Sequence, residues 1–275
     1  MKIMLCTNGS SYTARALDLG ARVARRTASA VDILVIAERE REKEALRMAE
    51  AAAADLEATG VPVALHRRAG RMAEEVVRQA QATPYDLVVI GSRGRRGIVR
   101  LLLGSVAIHV TGHAPASVLV VKGHTRDLKH FLVNSSAGPV SEHTVRFAGR
   151  LARALGASVT LLHVMSQLPL AEDALPHDLE ASAEELIQRD SREGVHLSRM
   201  LALLAAEGVT ARAVVRHGLV RDEITAEAQE GRYDLLVTGA HVTPGLDARL
   251  VDDLSADILL AANRPVLVVR PEPAN

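Results

Sequence analysis

Tyr85-Asp86-Leu87-Val88-Val89-Ile90-Gly91 returns later in the chain as Tyr233-Asp234-Leu235-Leu236-Val237-Thr238-Gly239, an offset of 233 − 85 = 148 residues. A nearly all-apolar run bounded by Asp and Gly is the pattern of a parallel strand covered on both faces. The same offset joins Val118-Leu119-Val120-Val121-Lys122 to Val266-Leu267-Val268-Val269-Arg270. Nearer the N-termini of the repeats, Leu19-Gly20-Ala21-Arg22-Val23-Ala24 matches Phe147-Ala148-Gly149-Arg150-Leu151-Ala152 at an offset of 128. The chain is therefore one unit written twice, with an insertion of 148 − 128 = 20 residues in the second copy. Pro169 and Pro176 place that insertion between Ser166 and Ala183. The expected domains are residues 1–123 and 129–271, joined by a short polar linker.

Working outward within the first copy, apolar runs at Ile3 to Cys6, Val31 to Ala37, Val61 to His66, Leu87 to Ile90 and Ser117 to Val121 read as strands. Helical patterns alternate with them. Ser10 stands as candidate N-cap of a helix through Arg26, and the stretch Arg39 to Thr59 is rich in helix formers. Gly70 opens a helix with Met72, Val76, Val77 and Ala80 on one face, and a further helix runs through His109. Strict alternation requires parallel strands joined by helical crossovers, so each copy is expected to be a five-stranded, doubly wound α/β domain. Ligands of such sheets lie outside the carboxyl ends of the strands.

The 275 residues suffice for two domains with cores of their own. An apolar content of 48% and a mean hydropathy of +0.11 exclude a disordered chain, and no apolar run approaches the ~20 residues of a membrane span. Thirty-three basic residues balance 33 acidic ones, so no global field draws the protein to nucleic acid or to an anionic membrane. The first residues read as a strand rather than a signal peptide, and the single cysteine, Cys6, lies inside it. Both features lead to the expectation of a cytoplasmic protein.

Against this neutral background one segment is locally basic. Gly91-Ser92-Arg93-Gly94-Arg95-Arg96-Gly97-Ile98-Val99-Arg100-Leu101-Leu102-Leu103-Gly104-Ser105 follows the fourth strand, a spacing of G-x2-G-x9-G-S. Glycines let the backbone approach an anion closely, their amides form a nest, and a helix opened by Ser105 points its positive end at the same place. Neither the G-x4-G-K-[ST] loop nor a G-x-G-x2-G turn after the first strand is present.

This loop, the Tyr85 to Gly91 strand and the ending Ala114-Pro115-Ala116-Ser117-Val118-Leu119-Val120-Val121 together resemble the universal stress protein family, twice over and across nearly the whole chain. In the ATP-binding branch of that family G-x2-G-x9-G-[ST] is the nucleotide signature. The resemblance implies ATP, with or without Mg²⁺, as ligand, and Gly91, Gly94, Gly104, Ser105 and the amide of Val106 as phosphate contacts. Ile90 and Arg93 are likewise expected to bind the cofactor, and Thr7, Asn8 and Val35 are the expected nucleoside contacts. Family members often carry an acidic residue where this chain has Asn8, whose amide can hydrogen-bond but brings no charge to hold a metal ion. Paired domains are the family's usual assembly, so an intramolecular pseudo-dimer is expected, with a homodimer as a further association.

The second copy lacks the loop. At the offset of 148, Gly94, Gly104 and Ser105 become Val242, Asp252 and Asp253. Two unit charges of like sign ~4 Å apart repel by ~4 kcal/mol at an effective dielectric near 20, so this copy is not expected to hold ATP in the same mode. His163 ends its second strand, His217 its third and His241 follows its fourth, and these are the residues that a zinc-type reading would use; the expectation set beside it is no metal. Phosphoryl transfer needs a metal held by acidic groups, and none lies between Gly91 and Ser105. The leading expectation is an ATP-binding regulatory protein with no catalytic residue. A slow ATPase or self-phosphorylating protein, and a small-ligand or metal carrier working through the second copy, stay open beside it.

Overall fold

The computed structural model describes residues 1–37, 41–92, 105–123, 127–136, 139–165, 181–240 and 253–271. The chain divides into two compact units, Met1–Arg126 with His241–Arg270, and Asp127–Ala240 with Pro271–Asn275.

In the first unit strands and helices alternate: β1 (Lys2–Thr7), α1 (Ser11–Thr27), β2 (Ala30–Ala37), α2 (Glu42–Glu57), β3 (Val63–Ala69), α3 (Met72–Ala82), β4 (Leu87–Gly91), α4 (Ser105–His113) and β5 (Ser117–Val121). The strands lie in the order β3-β2-β1-β4-β5, all parallel. β4, the run from which the fold was read, is buried along its whole length, as is β5. Each fully buried Leu, Ile or Val there contributes roughly 1.5–3 kcal/mol of transfer free energy. α1 directs Ala16, Leu17, Leu19, Ala21, Val23 and Ala24 into the core. It ends on Ala28 in the left-handed region, φ 48°, where the second repeat has Gly156, φ 63°.

In the second unit β6 (His130–Ser135), α5 (Pro139–Leu155), β7 (Ser158–Met165), α6 (Ala183–Gln188), α7 (Arg192–Ala206), β8 (Ala211–His217), α8 (Val220–Glu230) and β9 (Leu235–Gly239) follow in turn. The parallel order is β9-β6-β7-β8. Ile3 pairs with Leu87 and Phe131 with Leu235, so the register of the central pair repeats at the sequence offsets. The expected insertion reaches into α6, a helix with no counterpart among the described residues of the first repeat. Ser182 and Glu185 close a capping box at its start, a signal readable as Ser-x-x-Glu.

The last helix and strand, α9 (Asp253–Ala261) and β10 (Val266–Val269), belong to the first compact unit. β10 runs antiparallel to β5, with Leu267 opposite Leu119, its own counterpart in the repeat. Across this local two-fold, α4 packs against α9. Among the described residues no helix is long and apolar enough to cross a membrane.

Candidate functional site

The carboxyl ends of β1, β2 and β4 meet at one edge of the first unit, where Thr7 pairs in register with Val35. Thr7, Val35 and Ile90 are buried to 1% exposure or less, and Asn8 is 5% exposed. The turn from β1 into α1 is a closed hydroxyl network. The Thr7 and Thr13 hydroxyls lie 3.1 Å apart, and the Gly9 amide donates to Thr7 Oγ1. Asn8 Oδ1 accepts from the amide and the hydroxyl of Ser10, at 3.3 and 2.8 Å. Ser10 thus holds the N-cap position by backbone only: its side chain turns back to Asn8 and caps no helix amide. The carbonyl half of the Asn8 side chain, expected to face a nucleoside, is committed to shaping this turn.

Gly91 is required for a local reason. A Cβ there would stand 2.3 Å from the Tyr12 carbonyl oxygen, so the first turn of α1 lies directly on the end of β4. In the second repeat a Cβ on Gly239 would meet side chains of the facing helix instead, Thr144 Oγ1 at 2.7 Å and Val140 Cγ1 at 3.2 Å. Gly9 is the other special position, with φ 77° and the Arg41 carbonyl oxygen 2.8 Å from where a Cβ would be. Beyond Gly91, the Ser92 amide donates to the Val121 carbonyl oxygen at 3.0 Å, and α4 begins at Ser105. Val106 is half-buried in its first turn. Arg93, Gly94 and Gly104 lie outside the described residues. The described ends of the loop fit an anion: a strand ends at Gly91, a helix begins at Ser105, and three glycines and four arginines stand between Ser92 and Ser105.

In the second repeat α9 begins at Asp253, the counterpart of Ser105. His163 takes the place of Val35 at the end of the second strand and pairs in register with Ser135. Its Nδ1 donates to the Ser135 carbonyl oxygen at 3.0 Å, and His217 Nε2 donates to that of Ala181 at 3.2 Å. His241 lies outside the described residues, and among those described no group of three or more His, Cys, Asp or Glu side chains is arranged to hold a metal ion. The side chain that sequence reading missed is His196 on α7. Its Nε2 is 2.7 Å from Ser135 Oγ, and its ring centroid is 5.7 Å from that of His163. Burial, and then its neighbour's charge, hold His196 below the usual imidazole range; burial does the same to His163. Its only sequence signal was the difference from Met48, which occupies the matching place on α2. Cys6 is buried, and burial pushes its thiol well above the usual range, which makes it a small hydrophobe rather than a nucleophile.

Fold and crevice together define a tandem, doubly wound α/β protein whose two copies have diverged at the place where such sheets take their ligands. The chain belongs to the Universal stress protein family, which it matches over residues 1–122 and again over 128–270. A universal stress protein of Mycobacterium tuberculosis is 29% identical over 198 residues, a match covering 67% of this chain and 62% of that protein's length. One from Mycolicibacterium smegmatis is 26% identical over 247 residues, 84% of this chain and 78% of the relative. The crystal structure of a universal stress protein from Archaeoglobus fulgidus shares the fold over 98% of both chains, with a TM-score of 0.71 at 18% identity.

Proposed function

We propose that the protein is an ATP-binding stress-response regulator whose N-terminal repeat alone holds the nucleotide. The observation that carries this reading is the junction of β4 and α4: a parallel strand ending in Gly91, a glycine- and arginine-rich segment, and a helix opening at Ser105. In this reading the amides of Gly91, Gly94, Gly104, Ser105 and Val106 hold phosphate oxygens, and Arg93 adds charge. Thr7, Val35 and Ile90 shape the nucleoside end through backbone and apolar surface, because their side chains are buried. Asn8 contributes a hydrogen-bonding amide without the charge that would anchor Mg²⁺.

The repeats at residues 1–123 and 129–271 are then unequal partners of a cytoplasmic, intramolecular pair: one senses nucleotide and the other does not. Partner proteins would read the occupied form, and turnover is slow or absent. Calorimetric titration of ATP, with and without Mg²⁺, into the wild type and into Gly104→Asp/Ser105→Asp tests this directly. One site per chain in the wild type, lost in the variant that imitates the second repeat, is the expected result. A folded wild type that binds no ATP defeats the reading.

A further inference from the structure

At the carboxyl end of β6 the second unit holds a constellation that the first lacks. Ser135 ends β6, and its Oγ lies 2.7 Å from His196 Nε2 and 3.0 Å from Ser141 Oγ. Ser141 sits in the first turn of the 17-residue helix α5, so the positive end of that helix is beside the Ser135 hydroxyl. His163 anchors the same residue from below through its hydrogen bond to the Ser135 carbonyl oxygen. The hydroxyl pair itself is common to both repeats, since Thr7 and Thr13 make it in the first unit at 3.1 Å. The imidazoles are particular to the second: the matching places in the first repeat hold Val35 and Met48.

We propose that Ser135 is a base-activated nucleophile, with His196 as its general base, that accepts the acyl group of an activated carboxylic ester. A hydroxyl becomes a competent nucleophile when an adjacent base can take its proton, and heavy atoms 2.7 Å apart meet that requirement. The end of a parallel strand leading into a helix is also where α/β folds present such a group. The base has to be neutral to act. Burial and the nearby His163 and Arg199 favour the neutral imidazole, against Glu142 and Glu193, which favour the charged one; Glu142 is itself paired with Arg199 at 2.6 Å.

The step balances without any further reagent. Ser135 Oγ forms a bond to the ester carbonyl carbon as its proton passes to His196 Nε2. The tetrahedral species collapses by breaking the ester C–O bond, and the departing alkoxide takes the proton from His196. Acyl-Ser135 and an alcohol remain. Charge that develops on the carbonyl oxygen is met by the first turn of α5.

The full-length protein treated with a fluorophosphonate, and separately with p-nitrophenyl acetate, provides the test. The expected result is one adduct on the intact chain, mapped by peptide mass to Ser135 and not to Thr7, and absent from Ser135→Ala. His196→Gln, with its melting transition retained, is expected to slow labelling by about 100-fold or more, the usual loss when a general base is removed. In the wild type the labelling rate should fall as pH drops through a midpoint below the ordinary histidine value, and that midpoint should vanish in His196→Gln. A merely structural hydrogen bond would not produce it. If Ser135→Ala or His196→Gln fails to fold, the wild-type peptide map and pH profile still decide. No adduct on folded wild type, an adduct elsewhere, or a rate indifferent to His196 overturns the proposal.

Discussion

Lys122 and Arg270, counterparts 148 residues apart, hold one another's neighbouring helices by the same contact. Arg270 donates to the carbonyl oxygens of Thr111 and Gly112 at the end of α4, each at 2.6 Å. Lys122, which is buried, donates from Nζ to the carbonyl oxygen of Leu259, the counterpart of Thr111, near the end of α9. A cation at a helix C-terminus meets carbonyls that have no intrahelical partner and the negative end of the dipole. Hydrogen bonds to charged groups are worth about 1.5–3 kcal/mol each. Arg270→Met and Lys122→Met should each lower unfolding free energy by about 2 kcal/mol, read from urea denaturation. Midpoints unchanged in both variants would show that the carbonyls are equally well served by water.

Ala28 should be improvable. It ends α1 in the left-handed region at φ 48°, and the second repeat places Gly156 at the same point with φ 63°. An L-residue with a Cβ costs roughly 1–2 kcal/mol there, partly offset by the greater freedom of glycine in the unfolded chain. Ala28→Gly is therefore expected to stabilise the protein by about 0.5–1 kcal/mol, seen as a raised denaturation midpoint. A lowered midpoint would mean that the lost methyl packs better than it strains.

Gly91→Ala should damage the fold before it damages any ligand site. Its new methyl would press on the Tyr12 carbonyl oxygen, and overpacking of this kind costs typically 1–3 kcal/mol. The loss should appear in nucleotide-free protein. A variant as stable as wild type but defective in ATP binding would instead give this glycine a direct phosphate role.

Acidification should weaken the folded state through its histidines. His163 and His130 are held below the ordinary imidazole value chiefly by burial, and His196 by burial and by His163. Below the unfolded value of about 6.5 the unfolded chain takes up protons that the folded chain refuses, so stability falls with pH from that point down to the folded values. The urea midpoint should be lower at pH 5.5 than at pH 7.5, and His163→Gln should shrink the difference. Equal midpoints would count against neutral burial of these rings.

The repeat, the alternation of strands with helices and the absence of the loop from the second copy were all legible in the residues. Periodicity and glycine spacing are local properties, and a duplicated pattern such as Tyr85 to Gly91 and Tyr233 to Gly239 reports itself. Local pattern also pointed to the junction of β4 and α4, because doubly wound sheets take ligands at strand ends. It did not show that Gly91 answers to Tyr12, that Asn8 is engaged by Ser10, or that Ser10 caps no helix amide. Those outcomes rest on how closely α1 lies on β4, a distance no spacing encodes. The meeting of His196 with Ser135, 61 residues apart in sequence, and the antiparallel seating of β10 on β5 are likewise products of packing. Sequence determined which segments could be strands and helices and which copy could carry a phosphate loop. Tertiary structure alone decided which side chains met, because such contacts depend on the summed burial of whole faces and not on the residues that touch.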